Sequence, residues 1–222
     1  MTSTSPTPNS HPTSNNPYYA RAYALSDVDT ARTFYDEWAT RYDSDTVTDG
    51  YAGPTSAVDA IVRAIGADNM PNATFLDAGC GTGLVGVLLA KHGALPSNID
   101  GVDLSPGMLD VARRTGVYSK LEEADLSKPM KQRDESYEVV ACVGTLTHGH
   151  VGPEVLPEFV RVVERGGLIV ATVIDDIWES GGYKAKVDEL TKAGRVEVVR
   201  AETVGYRSSV NLGAKLLVLR RL

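Results

Sequence analysis

The chain has 222 residues, of which 42% are hydrophobic and 23% charged, and its formal net charge is −7. This length is enough to bury an α/β core in one domain. No lysine and arginine cluster is larger than a pair, which argues against a nucleic-acid partner, because such a protein usually needs a basic face to bind phosphates. No apolar run reaches the 18 residues expected of a membrane-spanning helix, so a membrane protein is not expected.

The first 17 residues are mostly Ser, Thr, Pro and Asn and have almost no apolar side chains. Such a segment cannot bury enough apolar surface to fold, and it lacks the apolar centre of a signal peptide. We therefore predict an unstructured tail over residues 1–17 and a single domain over residues 18–222.

Aromatic residues recur between positions 33 and 43, at Phe34, Tyr35, Trp38 and Tyr42. Residues 35, 38 and 42 would share one face of a helix, because side chains three and four positions apart are neighbours on its surface. The plain interpretation is one amphipathic helix that packs on the rest of the domain.

An apolar run from residue 75 ends in Asp77 and is followed by three alternating glycines, Gly79, Gly81 and Gly83, and then by an apolar segment typical of a helix. This order predicts a strand, a tight turn and a helix, in which the glycines let the backbone approach a ligand closely. A second predicted strand ends in Asp103. An acid at this place can accept hydrogen bonds from the hydroxyls of a ribose, so the two strands predict a nucleoside site.

The glycine spacing helps to identify the nucleoside. Dinucleotide enzymes carry G-x-G-x-x-G, whereas this turn reads D-x-G-x-G-x-G. A carboxylate two residues before the first glycine is poorly placed beside a pyrophosphate but could hold a cationic amino-acid group. A nicotinamide oxidoreductase is therefore disfavoured, and a binding titration would decide the matter.

Further elements follow in order. Ser105 is predicted to cap a helix whose first residue is Pro106. Short strands are expected before residue 123, over 137–144 and over 167–174, with a helix over 154–164 and a turn at 165–167 between the last two. Residues 196–203 and 214–220 read as an antiparallel pair, which brings the count to seven strands.

This ordered series resembles the class I S-adenosylmethionine-dependent methyltransferases, and the segment around residues 33–54 is most similar to the Williams–Beuren-region methyltransferase-like group. The resemblance implies an α/β fold with a seven-stranded, doubly wound, Rossmann-like sheet, an antiparallel last strand and N-terminal lid helices over 18–66. It also implies transfer of a methyl group from S-adenosylmethionine (SAM) to an N, O or S atom of a small metabolite or short peptide, with S-adenosylhomocysteine (SAH) as product. The alternative is a SAM-binding relative that catalyses a non-methylating reaction or serves as a binding protein.

The same resemblance implies roles for individual residues. Asp103 would bind the ribose, Asp125 the adenine amino group, and Tyr42 the carboxylate of SAM, while Tyr35 and Trp38 would flank the sulfonium. For Asp125, the plain alternative is a solvated turn residue. The predicted cofactor-binding residues are Tyr35, Trp38, Tyr42, Asp77, Gly79, Cys80, Gly81, Gly83, Asp103, Leu104, Met108, Asp125, Leu126 and Val143.

Two of the four histidines, His148 and His150, follow the fourth predicted strand, where the acceptor is expected. Imidazole titrates near neutrality, so either could act as a general base, although one of them could instead hydrogen-bond the loop backbone. An H-x-H metal site is the other possibility for these histidines. Metal-dependent catechol methyltransferases use carboxylates after both the fourth and fifth strands, whereas here acids follow only the fifth, at Asp175 and Asp176, so we expect no metal. The fourth strand also lacks the Asn/Asp-Pro-Pro-Tyr motif of enzymes that methylate DNA adenine or glutamine.

Cys80 and Cys142 are the only cysteines. A bridge between the first and fourth strands would crowd the glycine turn, so both are predicted to be free thiols of a cytoplasmic protein. The expected partner is a small-molecule or short-peptide acceptor, without nucleic acid or membrane, and the expected state is a monomer or weak dimer.

Overall fold

The computed structural model describes residues 16–25 and 27–222. Its sheet has seven strands in the order β3-β2-β1-β4-β5-β7-β6. The strands are β1 (Phe75–Ala78), β2 (Ile99–Asp103), β3 (Lys120–Glu123), β4 (Tyr137–Leu146), β5 (Val163–Ile174), β6 (Val196–Arg207) and β7 (Leu212–Arg221). Strands β1 to β5 pair in parallel, whereas β7 is antiparallel to both β5 and β6. This architecture confirms the predicted doubly wound α/β fold.

Nine α-helices accompany the sheet in the described part of the chain. They are α1 (Pro17–Tyr23), α2 (Val28–Trp38), α3 (Tyr42–Thr48), α4 (Gly53–Ile65), α5 (Leu84–Lys91), α6 (Pro106–Thr115), α7 (Leu156–Val162), α8 (Asp175–Trp178) and α9 (Tyr183–Lys192). None of the helices described is long and apolar enough to cross a membrane.

Apolar side chains cover both faces of the sheet. On one face, Ala57 and Ile61 of α4 and Leu89 of α5 are buried in one cluster with β1 and β4. On the other face, Phe159 of α7 and Val187 of α9 are buried in a second cluster. Because β4 is covered on both sides, its sequence is a continuous apolar run rather than an alternating one.

The N-terminal boundary differs from the prediction. Asn16 caps α1, since its Oδ1 accepts a hydrogen bond from the Tyr18 amide at 3.0 Å, and Pro17 is the first residue of that helix. The predicted unstructured tail therefore does not include these two residues. Its other residues, 1–15, lie outside the described part of the chain.

The predicted single helix over 33–43 is two helices. The chain turns after Trp38, where the Arg41 amide donates to the Trp38 carbonyl at 2.9 Å, and a new helix begins at Tyr42. Acidic residues in the first turn favour a helix start, and α3 has Asp43 and Asp45 there. The indole N–H of Trp38 donates to Asp45 at 2.8 Å, which holds the second helix against the first.

Four strands run further than predicted, including β6, which ends at Arg207 instead of residue 203, and β7, which spans Leu212–Arg221 instead of 214–220. Strand β4 continues to Leu146 after a register shift that begins beyond Cys142, in a segment where Gly144 has a φ of 82°. Strand β5 begins at Val163, so residues 165–167 form an irregularity within the strand rather than a turn before it. Extra residues of this kind bend a strand and redirect the side chains that follow.

Candidate active site

A cleft opens beyond the carboxyl ends of β1, β2 and β4 and is covered by α2 and α3. It has a cavity volume of about 120 Å³. The predicted residues that line it are Tyr35, Tyr42, Gly79, Gly81, Asp103, Leu104, Met108, Asp125, Leu126, Val143 and His150. The structure thus brings together eleven residues from five separate segments of the chain.

The glycine turn forms one wall of the cleft. Gly81 has a φ of 54°, and a Cβ added there would meet nothing within 4 Å, so the backbone at this position faces open space. Gly79, with a φ of 76°, is different, because its Cβ would collide with the side chain of Thr145 on β4. The turn therefore packs against β4 at Gly79 and leaves room for a ligand at Gly81.

Asp103 lies at the tip of β2 beside this turn. Its Oδ2 accepts a hydrogen bond from the Gly81 amide at 2.8 Å, and its Oδ1 accepts one from the Ser105 amide at 2.9 Å. Burial raises the pKa of this carboxyl, while the backbone hydrogen bonds oppose that effect. Each carboxylate oxygen keeps acceptor capacity, so Asp103 can accept from the two hydroxyls of a ribose.

The wall beyond Asp103 is apolar. Leu104 and Met108 line it from the start of α6, and Leu126 lines it from the segment after β3. Asp125 also lines the cleft, and its Oδ1 accepts hydrogen bonds from the Ser127 amide at 3.0 Å and the Ser127 hydroxyl. Its carboxylate is therefore held in place beside the apolar surface.

Asp77 is not where the prediction placed it. The residue is 1% exposed, lies outside the cleft lining, and accepts a hydrogen bond from the Tyr118 hydroxyl at 2.7 Å. Burial raises its pKa to about 7, against the opposing effect of that hydrogen bond. Asp77 thus supports the turn from behind instead of facing a cationic group. Cys80 and Gly83 also lie outside the lining, and Cys80 and Cys142 are buried free thiols, as predicted.

The three lid aromatics divide between the cleft and the protein interior. Tyr35 and Tyr42 line the cleft, but Trp38 is 1% exposed and stacks behind Tyr35, with ring centroids 6.1 Å apart. The predicted contact of Trp38 with the sulfonium is corrected accordingly. The helix break after Trp38 is what returns Tyr42 to the same side as Tyr35.

Two acidic residues that the sequence analysis missed anchor the lid. Asp36 Oδ1 accepts hydrogen bonds from the Ser105 hydroxyl at 2.5 Å and the Gly107 amide at 2.8 Å, at the start of α6. Asp43 Oδ1 accepts one from the Thr82 hydroxyl at 2.5 Å, in the glycine turn. The repeated Tyr-Asp pair, seven residues apart, was the available signal: each tyrosine lines the cleft and each aspartate binds a turn beside it.

Of the two predicted catalytic histidines, only His150 reaches the cleft. Its Nε2 lies 2.7 Å from the Tyr35 hydroxyl, and its Nδ1 contacts the His148 carbonyl. A carbonyl only accepts, so Nδ1 is assigned the proton and Nε2 accepts from Tyr35. Burial lowers the pKa of His150, which favours the neutral ring.

His148 does not line the cleft, which corrects its predicted role as the base facing the methyl group. Its Nε2 lies 2.9 Å from Asp176 Oδ2 in the helix after β5. Within residues 16–25 and 27–222, no group of three His, Cys, Asp or Glu side chains is placed to hold a metal ion.

A second cavity, which we call the tyrosine cavity, adjoins the cleft and has a volume of about 40 Å³. Tyr35, Tyr42, Gly144 and His150 line both spaces. The remaining lining residues are Tyr19, Ala22, Tyr23, Trp38, Thr46, Tyr51, Thr147, Ile174, Tyr206 and Arg207. The four shared residues mark the junction between the cleft and the tyrosine cavity.

Comparison with known proteins gives a consistent picture. A family described as a methyltransferase domain matches residues 76–171. The chain is 35% identical over 181 residues to methyltransferase-like protein 27 of Homo sapiens, covering 79% of this chain and 72% of that protein. It is 28% identical over 118 residues to ubiquinone biosynthesis O-methyltransferase of Hydrogenovibrio crunogenus, covering 50% of this chain and 47% of that enzyme.

Solved structures share the fold. Magnesium protoporphyrin IX methyltransferase from Synechocystis PCC 6803, with bound SAH, matches with a TM-score of 0.65 and 18% identity, covering 88% of this chain and 100% of that one. The [4+2]-cyclase SpnF matches with a TM-score of 0.58 and 16% identity, covering 89% and 97%. At these identities the likeness concerns the fold alone, which serves more than one kind of reaction.

Proposed function

This chain belongs to the class I SAM-dependent methyltransferases, and on that premise we propose that it methylates an N, O or S atom of a small metabolite or short peptide, leaving SAH. The observation that carries the proposal is the junction at Tyr35 and His150 between the cleft and the tyrosine cavity. Two adjoining spaces suit a reaction in which two molecules must meet.

The residues of the cleft fit SAM. When bound, SAM supplies a methyl carbon activated by its sulfonium. The open space at Gly81 can take its amino-acid part, and Asp103 has the acceptor capacity for its ribose hydroxyls. Leu104 and Met108 offer the apolar surface that an adenine ring needs.

The protein's own contribution is alignment, exclusion of water and removal of a proton. Tyr35 and Tyr42 cover the cleft, and Asp36 and Asp43 hold their helices down. In our proposal the acceptor hydroxyl or ammonium gives its proton to the Tyr35 oxygen as the Tyr35 proton moves to His150 Nε2. The acceptor lone pair then forms the new bond to carbon, and the electrons of the broken carbon–sulfur bond stay on sulfur.

The size of the tyrosine cavity supports a small acceptor. Its volume of about 40 Å³ leaves room only for a compact molecule or a part of one, and tyrosine and tryptophan supply half of its lining residues. A short peptide would enter with one side chain or terminus.

Two measurements test the proposal. Calorimetric titration with SAM and with NAD should show binding of SAM only. Incubation with SAM and a panel of small amines, phenols, thiols and short peptides should then release SAH, detected by mass spectrometry. Binding of NAD would refute the nucleoside assignment, and tight SAM binding without SAH release from any acceptor would favour the non-methylating alternative.

A further inference from the structure

The tyrosine cavity has an unusual balance of charge. Of its lining residues only Arg207 carries a full charge, and no carboxylate lines it. Burial raises the pKa of Tyr23, Tyr35 and Tyr206, so these phenols are neutral and can donate hydrogen bonds. The cavity is therefore aromatic and rich in donors, and its one fully charged lining residue is a cation.

Arg207 lies at the side of this cavity next to α1 and is 2% exposed. Its Nη2 donates to the Tyr23 hydroxyl at 2.9 Å, and its guanidinium carbon lies 3.9 Å from the centroid of the Tyr19 ring. Nε and Nη1 are buried and make no hydrogen bond to any described residue. Buried donors left in this state cost free energy, so a group that accepts from them would be bound favourably.

Asp49 offsets part of this charge without satisfying the donors. Its Oδ2 lies 3.8 Å from Arg207 Nη1, which is beyond hydrogen-bond distance, and it does not line the cavity. The pair is nearly fully buried, with side chains 2% and 8% exposed. Asp49 Oδ2 is itself buried without a hydrogen-bond partner among the described residues, so an anion in the cavity would compete with Asp49 for the guanidinium.

Thr147 is a second unsatisfied group. It follows the end of β4, lines the tyrosine cavity, and its Oγ1 is buried without a hydrogen-bond partner among the described residues. A hydroxyl can donate to an anionic oxygen. Arg207 and Thr147 thus both line the cavity, and both have donors without a hydrogen-bond partner among the described residues.

Building on the proposed function, we propose that the tyrosine cavity binds an acceptor with a planar body and a carboxylate, the carboxylate held by Arg207 and Thr147. The planar guanidinium matches a carboxylate in shape as well as charge. The tyrosine rings would enclose the planar body and direct its nucleophilic end to the junction at Tyr35 and His150. An acceptor with an ammonium at the Arg207 end would be repelled.

Three probes of similar size test the charge preference: 4-hydroxybenzoate, the neutral 4-hydroxybenzamide and the cationic 4-hydroxybenzylamine, titrated by calorimetry against protein saturated with SAH. We expect the benzoate to bind about 10- to 100-fold more tightly than the amide, as for hydrogen bonds to a charged group. The amine should bind no better than the amide. Equal binding of the three, preference for the amine, or no binding of the benzoate would overturn the proposal.

Variants separate the charge effect from a structural one. Asp49→Asn removes the competing carboxylate and should tighten benzoate binding, whereas Asp49→Asn with Arg207→Met should abolish the preference for benzoate over amide. Both variants alter the same buried pair, so a purely structural role would change the affinity for benzoate in the same direction in both. Thr147→Val keeps the side-chain volume similar and should weaken benzoate binding several-fold. This variant provides the test if the charge variants do not fold. Unchanged benzoate binding in Thr147→Val would count against the proposal.

SAH binding, measured first in each protein, keeps the two proposals apart. If wild-type protein fails to bind SAH, the proposed function fails. If it binds SAH but does not discriminate between the probes, only the carboxylate acceptor is refuted.

Discussion

The hydroxyl of Tyr35 and the Nε2 of His150 lie 2.7 Å apart, although the residues are separated by 115 positions in the chain. Tyr35 belongs to the lid helix α2 and His150 to the loop after β4, and both line the cleft and the tyrosine cavity. Because one partner is on the lid, displacement of α2 would break this hydrogen bond. The proposed proton acceptor is therefore complete only when the lid is closed.

Replacing His150 with Gln should lower turnover and leave SAH affinity nearly unchanged. The Gln amide oxygen can still accept from Tyr35 but cannot take a proton, so a loss of about 10²-fold or more in kcat is expected of a removed general base. Because burial lowers the pKa of His150, wild-type activity should persist below the ordinary histidine range near pH 6.5. The fall in the wild-type rate at still lower pH, where His150 becomes protonated, should be absent from the variant. Initial rates measured across pH would show both effects.

His148→Ala is the matched control for that experiment. His148 lies outside the cleft beside Asp176, so its loss should change kcat much less than the loss of His150. If His148→Ala were instead the more damaging change, the assignment of the base to His150 would be wrong.

Gly81→Val should abolish SAH binding. The new side chain would project into the open space of the cleft from a backbone with a φ of 54°, at a strain of about 1–2 kcal/mol. Gly116→Val is the control, because Gly116 has a φ of 70°, equally open surroundings, and a place outside the cleft at the end of α6. Both should lower the Tm, but calorimetry should find SAH binding lost only in Gly81→Val.

Asp103→Ala should weaken SAH binding by about 1–3 kcal/mol, since ribose hydroxyls would lose their acceptor and the Gly81 amide its partner. Asp110→Ala, an exposed acid on α6, should leave the dissociation constant unchanged. Equal SAH affinity in the Asp103 variant and wild type would remove the nucleoside assignment.

Asp36→Ala should loosen the lid. It removes the acceptor of the Ser105 hydroxyl and the Gly107 amide, a loss of about 1–2 kcal/mol in the closed state. We expect faster proteolysis of α2 and a higher dissociation constant for SAH. Glu37→Gln on the same helix removes only an exposed ion pair with Arg21 and should change neither.

Asp77→Asn should alter the pH dependence of stability. Burial raises the Asp77 pKa to about 7, whereas an unfolded chain loses this proton near pH 3.9. Between those values the native state binds more protons, so this carboxyl's contribution to stability is complete below about pH 3.9 and is lost as pH rises to about 7, by up to about 1.4 kcal/mol per pH unit.

The variant should therefore be more stable than wild type near neutral pH and show little advantage in acid, as measured by urea unfolding at several pH values. Asp100→Asn is the control, because Asp100 also accepts from a tyrosine hydroxyl, that of Tyr137 at 2.9 Å, but is only partly buried. A flat difference between wild type and Asp77→Asn across pH would show that the pKa of Asp77 is the same in the native and unfolded states.

Local features of the sequence determined much of this protein. The glycine turn, the cap at Ser105 and the acid at the tip of β2 were predicted because turn chemistry, capping and strand ends depend on neighbours in the chain. Apolar runs likewise predicted the central strands β1, β4 and β5, since strands covered on both faces require them.

Tertiary structure decided which of the predicted residues face the cleft. Asp77 turns to Tyr118, 41 positions away, and the loop after β4 packs at Gly149 against the Leu25 carbonyl, bringing His150 rather than His148 to the cleft. The anchoring contacts of Asp36 and Asp43 also join elements distant in sequence. Spacing along a strand or helix limits which side chains share a face. Which of those side chains meets the ligand depends on how distant segments pack together, and this packing is established only when the chain folds.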